Sequence, residues 1–428
     1  MKRGVPMLAG LRNRIANNPF FKSVLILMGG SVLSQVIPFL ASPALSRIYT
    51  PEHFATFTLF LSTVNILGVI TSLKYDLAIV VAREEEAPSV FWLCLLLSGG
   101  LMALLFLLAP VFIALMPSLS EGHGVGWVYM VPLSVFLTGL FSALDFYNLR
   151  LNRYRTITQA NIVRSVISAA VQIVLGLMGF GVYGLMVGQL LAYLAGDMVL
   201  MRKLAPHVAK PNFKQMAGMA RMYKSFAKYT MPGTLATTLS YNSVSYFLTA
   251  FFKPAELGYY ALINQVLSAP LTVISGAVGN VFLKKSSDEA AHSRMTAKTF
   301  SSVTRVLTLL SVPVFTILFV FATPIIRIFL GEQWLPAAAM VRALIPMFLA
   351  RFIITPVSSS AIVAGRQGAS MVWQFSLLAA SVAPALVQLL TPLPILSYLT
   401  LLSVLVALCY VVFYLYCRRI LKQLDTNY

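Results

Sequence analysis

The stretch GGSVLSQVIPFLASPALSRIYTPEHFATF, Gly29 to Phe57, returns without a gap at an offset of 203 as PGTLATTLSYNSVSYFLTAFFKPAELGYY, Pro232 to Tyr260. Gly30 meets Gly233, Ser31 meets Thr234, Gln35 meets Thr238, Ser42 meets Ser245 and Ser46 meets Thr249. At the turn that follows, Pro51, Phe54, Ala55 and Phe57 meet Pro254, Leu257, Gly258 and Tyr260. Each copy runs from one long apolar segment through a Pro-led turn into another. The repeated unit therefore starts with a helical hairpin, and one repeat at this distance in a 428-residue chain implies two matching halves.

Working outward from the repeat, apolar runs of about 20 residues, the length needed to cross a hydrocarbon core, recur along the whole chain. Twelve are legible, near 23–45, 55–81, 89–115, 126–148, 158–178, 182–201, 226–251, 257–283, 300–322, 336–364, 369–390 and 394–417. Hydrophobic residues make up 58% of the chain and charged ones 11%, whereas soluble domains carry about 25% charge. That excludes an ordinary soluble enzyme. The net charge of +19 does not indicate a nucleic-acid partner, because the basic residues are scattered between apolar runs rather than gathered on one solvated face.

Placed on this map with the N-terminus inside, 25 of the 32 Lys and Arg residues fall on inner segments and helix ends. Only Arg47, Lys253 and Arg327 fall outside, and Lys74, Arg164, Arg342 and Arg351 remain within helices. The bias predicts two cytoplasmic termini, since missing one helix would swap the side of every later loop. The basic stretch holding Lys2, Arg3, Arg12, Arg14 and Lys22 precedes an apolar run longer than a signal-peptide core and reads as the lead into a retained first helix. Cys94, Cys409 and Cys417 sit in or at the end of apolar runs and read as packing residues, with no disulfide or zinc spacing. The expected fold is an all-α polytopic membrane protein. It has two six-helix bundles, residues 1–201 and 226–428, joined by a basic cytoplasmic linker at 202–225. Helices one and seven run in the same direction, so the halves should be related by a parallel pseudo-two-fold axis along the membrane normal, around a central cavity.

Polar stripes supply the first site candidates. Ser31, Gln35, Ser42 and Ser46 share one face of helix 1. Small polar residues also serve close helix packing, and helix 1 fits that reading and a cavity wall equally. Helix 7 carries Thr230, Thr234, Thr237, Thr238, Tyr241, Asn242, Ser245 and Thr249. So many polar groups facing lipid would be costly, which points to a hydrated wall.

Charge at depth supplies the second set. A charged side chain at the bilayer centre costs at least about 2.5–3.5 kcal/mol and normally faces a cavity or a partner. Arg351, near the middle of helix 10, is the leading candidate for a cargo contact, followed by Arg164 in helix 5 and Lys74 in helix 2. The positions of Lys74 and Arg342 also suit snorkelling to the headgroups. All eight Glu and four His residues map to loops or helix ends, and Asp76, Asp145 and Asp197, close to cytoplasmic helix ends, are expected to form structural ion pairs. Cations without deep carboxylates favour an anionic cargo over a drug or cation antiporter. No phosphate loop, H-E-x-x-H or G-x-S-x-G motif is present, so neither an enzyme nor a cofactor is expected. A membrane glycosyltransferase or polymerase would show a large outer loop with acid or His clusters, and no outer loop here exceeds about fifteen residues.

The first hairpin, PALSRIYTPEHFATFTLF from Pro43 to Phe60, continuing through SLKYDLAIV from Ser72 to Val80, resembles polysaccharide transporters. These are the Wzx-type flippases of O-antigen and lipid-linked oligosaccharides in the multidrug/oligosaccharidyl-lipid/polysaccharide exporter superfamily. Ala55 departs from the glycine the family commonly has there, while its repeat mate Gly258 keeps it. The resemblance implies a monomeric alternating-access flippase of the cytoplasmic membrane. Its cargo would be an oligosaccharide on a polyprenyl pyrophosphate, for lipopolysaccharide or exopolysaccharide synthesis, and it could associate with a polysaccharide polymerase or glycosyltransferases. In that reading Arg351, Arg164 and Lys74 balance the pyrophosphate, and Gln35, Thr234, Thr238, Tyr241 and Asn242 meet sugar. Pro38, Pro232 and Gly233 are candidate bending points, although membrane helices also tolerate such residues without a role.

Overall fold

The computed structural model describes residues 19–115, 126–202, 204, 213–291, 296–364 and 366–426. The basic stretch before Pro19, His123, His207, His292 and the linker between 205 and 212 lie outside the described residues, as does the side chain of Ser31. Helices are the only regular elements among the described residues, as a single-chain bundle in lipid requires, since each helix satisfies its own backbone polar groups. The first half comprises α1 (Pro19–Ile48), α2 (Pro51–Ile70), the short α3 (Tyr75–Val81), α4 (Ala87–Leu115), α5 (Gly126–Arg150), α6 (Tyr154–Leu177) and α7 (Val182–Met201). A linker helix, α8 (Phe213–Met222), leads to α9 (Met231–Phe251), α10 (Pro254–Ala291), α11 (Thr296–Val320) and α12 (Ala322–Phe329). The chain ends with α13 (Ala337–Ile354), α14 (Ser360–Val363), α15 (Gln367–Leu390) and α16 (Ile395–Thr426).

Ten of these helices are long and apolar enough to cross a bilayer. Among the described residues, α1 offers only the shorter apolar segment Val32–Ile48, and α9, 21 residues long and without a charged residue, falls short on hydropathy. The two exceptions are the repeat mates that carry the polar stripes. With them included, the spans correspond one for one to the twelve expected. The protein is an all-α, multi-pass membrane protein.

Helix pairing has the same pattern in both halves. In the first, α1 packs on α6, α6 on α7, α7 on α5, α5 on α4, and α2 on α5. In the second, α9 packs on α15, α15 on α16, α16 on α13, α13 on α11, and α10 on α13. Each pair in one list is the counterpart of the pair in the same place in the other. Across the halves, α2 meets α9 and α10, and α1 meets α10.

Three local features depart from the sequence reading. The expected helix over 55–81 breaks at 71–74, where Leu73 (φ 47°) and Lys74 (φ 63°) adopt the left-handed conformation, a rare state for residues with a Cβ. Buried Asp76 anchors the restart by accepting from the Leu77 amide and, at 2.5 Å, from the Ser142 hydroxyl. Lys74 therefore belongs to a turn rather than to a helix interior. The linker is partly helical, and Tyr75 and Ser89 bond it to the first half through Ala220 and Gln215. Before α9 the chain winds as a π-helical turn, Phe226–Thr230, with the Met231 amide donating to the Phe226 carbonyl. Pro232, next in line and without an N–H, cannot restore the tighter ladder at its own position.

Candidate functional site

Between the halves, walled by α1, α2, α6 and α7 on one side and α9 and α10 on the other, lies a cavity of about 310 Å³. Its lining is rich in primary amides: Asn65, Gln172, Gln189, Asn242, Asn264 and Gln265. Ser62, Ser168, Ser245 and the Tyr241 ring add hydroxyls. An amide is costly to leave dry inside a bilayer, so six of them around one space mark it as hydrated or substrate-filled. Asn65 and Asn242 meet across the halves at 3.4 Å, and Asn242 also donates to the Thr238 carbonyl. Ser168 donates to Gln189 at 3.3 Å, and the Gln172 amide is tied to the Leu185 carbonyl. No acidic or basic side chain lines the cavity among the described residues.

Arg351 lies behind this wall. Its guanidinium carbon sits 4.8 Å from the Tyr241 ring centroid and 5.4 Å from that of Phe348, close enough for a cation–π contact. Tyr241 shares a hydrogen bond with Tyr410 at 3.2 Å, and both Tyr410 and Tyr260 lie within electrostatic reach of the arginine. The Arg351 Nε is buried without a hydrogen-bond partner. No carboxylate forms a salt bridge with Arg351 among the described residues.

Arg164 is held differently. It packs over the rings of Phe141 at 4.1 Å and Tyr193 at 4.7 Å, with its stem against Gly196, where a Cβ would collide with Cγ. Asp145 and Asp197 act on it electrostatically without coming within contact distance. Asp145 Oδ1 and both oxygens of Asp197 are buried and accept no hydrogen bond. The ion pairs expected for the three aspartates thus take other forms. Asp76 is satisfied by a hydroxyl and an amide, while Asp145 and Asp197 balance Arg164 at longer range.

Of the other sequence candidates, Tyr241 and Asn242 line the cavity, whereas Gln35 is exposed on α1 away from it. Thr234 donates back to the Thr230 carbonyl, and neither it nor Thr238 reaches the cavity wall. Along α1, Ser42 and Ser46 are buried, Ser42 bonding to its own helix and Ser46 to the Leu330 carbonyl, which is the packing reading. The amides on α2, α6, α7 and α10 escaped the sequence reading because they are one or two to a helix here and form no dense polar stripe. An Asn or Gln within an apolar membrane helix was the available signal.

One end of the cleft is shut. The indole of Trp334 donates to the Ser46 carbonyl at 2.8 Å, Gln333 donates to the same carbonyl, and the Ser46 hydroxyl donates to Leu330. Trp334 also meets Phe54 and Tyr259 edge-on. Beside this seam, the two repeated turns touch: a Cβ on Gly258 would run into the Pro51 carbonyl. That close approach of one turn to its repeat mate explains why 258 is glycine while 55 tolerates alanine.

Two like-patterned helix bundles around a polar membrane cavity define the architecture of a membrane transporter. The chain belongs to the polysaccharide biosynthesis protein family, whose model matches residues 44–339. It is 23% identical over 348 residues to the succinoglycan biosynthesis transport protein ExoT of Rhizobium meliloti, spanning 79% of this chain and 68% of ExoT. It is 22% identical over 306 residues to the teichuronic acid biosynthesis protein TuaB of Bacillus subtilis, spanning 69% of this chain and 61% of TuaB. A structure of the lipid II flippase MurJ in an inward closed conformation superposes with a TM-score of 0.71 over 94% of this chain and 90% of that one. At 14% identity, that likeness concerns the fold.

Proposed function

We propose that this protein is a flippase that moves a polyprenyl-pyrophosphate-linked oligosaccharide across the cytoplasmic membrane by alternating access, for surface polysaccharide synthesis. The observation that carries the reading is the amide-lined cavity backed by Arg351, a cation for which the described residues supply no paired carboxylate. Amides and hydroxyls both donate and accept, which suits exchangeable bonds to sugar. The guanidinium behind Tyr241 offsets a visiting pyrophosphate in a medium of low dielectric.

In this reading the halves are residues 1–201 and 226–428, joined by the linker at 202–225, and both termini are cytoplasmic, as the charge bias supports. The seam at Ser46 and Trp334 then lies on the outer side, and the cross-half bonds Thr63–Tyr246 and Asn65–Asn242 lie inward of it. The state seen is closed outward, and transport requires this seam to part as the halves rock. Names of the relatives, a succinoglycan biosynthesis transport protein and a teichuronic acid biosynthesis protein, agree with a glycan cargo.

The test is Arg351→Ala in cells. The protein should insert normally while surface polysaccharide falls at least tenfold and the lipid-linked intermediate accumulates on the inner leaflet. Normal polysaccharide with lost drug efflux would sink the flippase in favour of a multidrug antiporter.

A further inference from the structure

A second cavity, of about 350 Å³, opens between α2, α4 and α5 beside the polar one. Its wall is almost wholly hydrocarbon, from Leu59, Leu67, Leu105, Ala109, Phe112 and Val131. Three polar groups touch it: Thr63, Tyr246 and Trp127. Thr63 spends its one proton on the Leu59 carbonyl, so in the 2.6 Å contact with Tyr246 the tyrosine donates. Both hydroxyl donors are thereby used. Trp127, only 3% exposed, keeps an indole N–H with no acceptor.

An ordered water needs two to four polar partners, and at the Trp127 end it would find one free donor, the other polar atoms being the Thr63 and Tyr246 oxygens deeper in the cavity. What fits is a hydrocarbon chain ending in a hydrogen-bond acceptor. Depth supports this. Trp127 is the second residue of α5, at the end that the charge bias places outside, and Thr63 is twelve residues into α2, about 18 Å from its outer start. The cavity therefore runs from the outer headgroup level to about the middle of a core roughly 30 Å thick. Its volume matches about a dozen water-sized groups, room for part of one chain but not for the two of a phospholipid. The Thr63–Tyr246 contact is also the partition from the polar cavity, so chain and glycan sites are neighbours across one helix pair.

We infer that this cavity holds the polyprenyl chain of the translocated lipid on the outer side, with a phosphate oxygen accepting from the Trp127 indole. The inference rests on the flippase reading. It is tested on the full-length protein in phospholipid nanodiscs with a photoreactive polyprenyl phosphate. Label should fall on peptides of α4 and α5, drop three- to tenfold in Trp127→Phe, the worth of one hydrogen bond, and vanish in Leu67→Trp, which fills the space. Ala109→Leu fills it from the opposite wall should Leu67→Trp not fold. Undiminished label in a filled variant that melts normally, or equal labelling of the same peptides by a diacyl phospholipid probe, would overturn the inference. Arg351→Ala should leave the label intact. Loss of transport in that variant with intact label separates the two claims, and normal transport without label removes only this one.

Discussion

The two intramembrane arginines show how similar sequence signals reach different ends. Arg164 and Arg351 each sit on a helix of one bundle, each face-on to two aromatic rings. Arg164 has two aspartates of its own chain within electrostatic reach, whereas Arg351 has tyrosines. Carboxylates of the chain itself offset Arg164, whereas among the described residues none forms a salt bridge with Arg351. The first is a balanced structural unit, and the second, on the proposed reading, waits for a visiting anion. A buried charge by itself is thus a poor guide to function; what balances it decides.

The widest separation should come from removing each cation. Arg351→Leu should reduce transport in proteoliposomes a hundredfold or more while leaving the melting temperature within a few degrees. Arg164→Leu should instead cost about 3–5 kcal/mol of stability, since it strands two buried carboxylates, and should melt early whatever its transport. A stable Arg164→Leu protein without transport would break the contrast. Next comes compensation: combining Arg164→Leu with Asp145→Asn and Asp197→Asn should recover about half or more of the lost stability, measured by thermal unfolding. No such rescue is expected for Arg351, because the described residues offer no carboxylate to neutralise.

The two repeated turns give a smaller contrast. Gly258→Ala must push the Pro51 backbone away and should cost about 1–3 kcal/mol, whereas Ala55→Gly should cost about 1 kcal/mol or less. Equal effects at both positions would mean that the close approach of the turns is unimportant. The smallest effect concerns the tie between Tyr223 and Glu86, a 2.8 Å hydrogen bond that fastens the linker to the first half. The Arg83 amide, with Tyr223 and the Arg83 charge, holds the Glu86 carboxyl below the usual carboxylate range. Because the folded-state pKa is depressed, the tie is fully present above the ordinary Glu range and is lost only as pH falls through the depressed value. Limited proteolysis of the linker should therefore stay constant from neutral pH down to that range and rise below it. Tyr223→Phe should raise cleavage at every pH.

Much of the fold was legible. The break at Leu73 and Lys74 was not, because the run from 55 to 81 holds no Pro and only one Gly, ahead of the break, and the cause is tertiary: Asp76 is anchored by Ser142 from another helix. Of the candidate site, Tyr241 and Asn242 stood out as part of a dense polar stripe. Asn65, Gln172, Gln189 and the pair Asn264 and Gln265 did not, because they converge only when four separate helices are brought together. Gln35 and Thr234 were chosen by their shared faces; Gln35 is exposed, and Thr234 lies outside the lining although Ser245 of its stripe reaches it.

By itself the sequence determined that the chain crosses a membrane on many helices, that its halves repeat, and which family it joins. Those properties depend on hydropathy measured against a bilayer thickness and on residues in line, both of which are local. The tertiary structure alone decided which polar groups converge on one cavity, which arginine has aspartates in range, and where a helix restarts. Lipid tails are as apolar as the helices they surround, so hydrophobicity leaves the rotation of each helix about its axis open. Close packing and the pairing of polar groups settle it, and those exist only once neighbouring helices are in place.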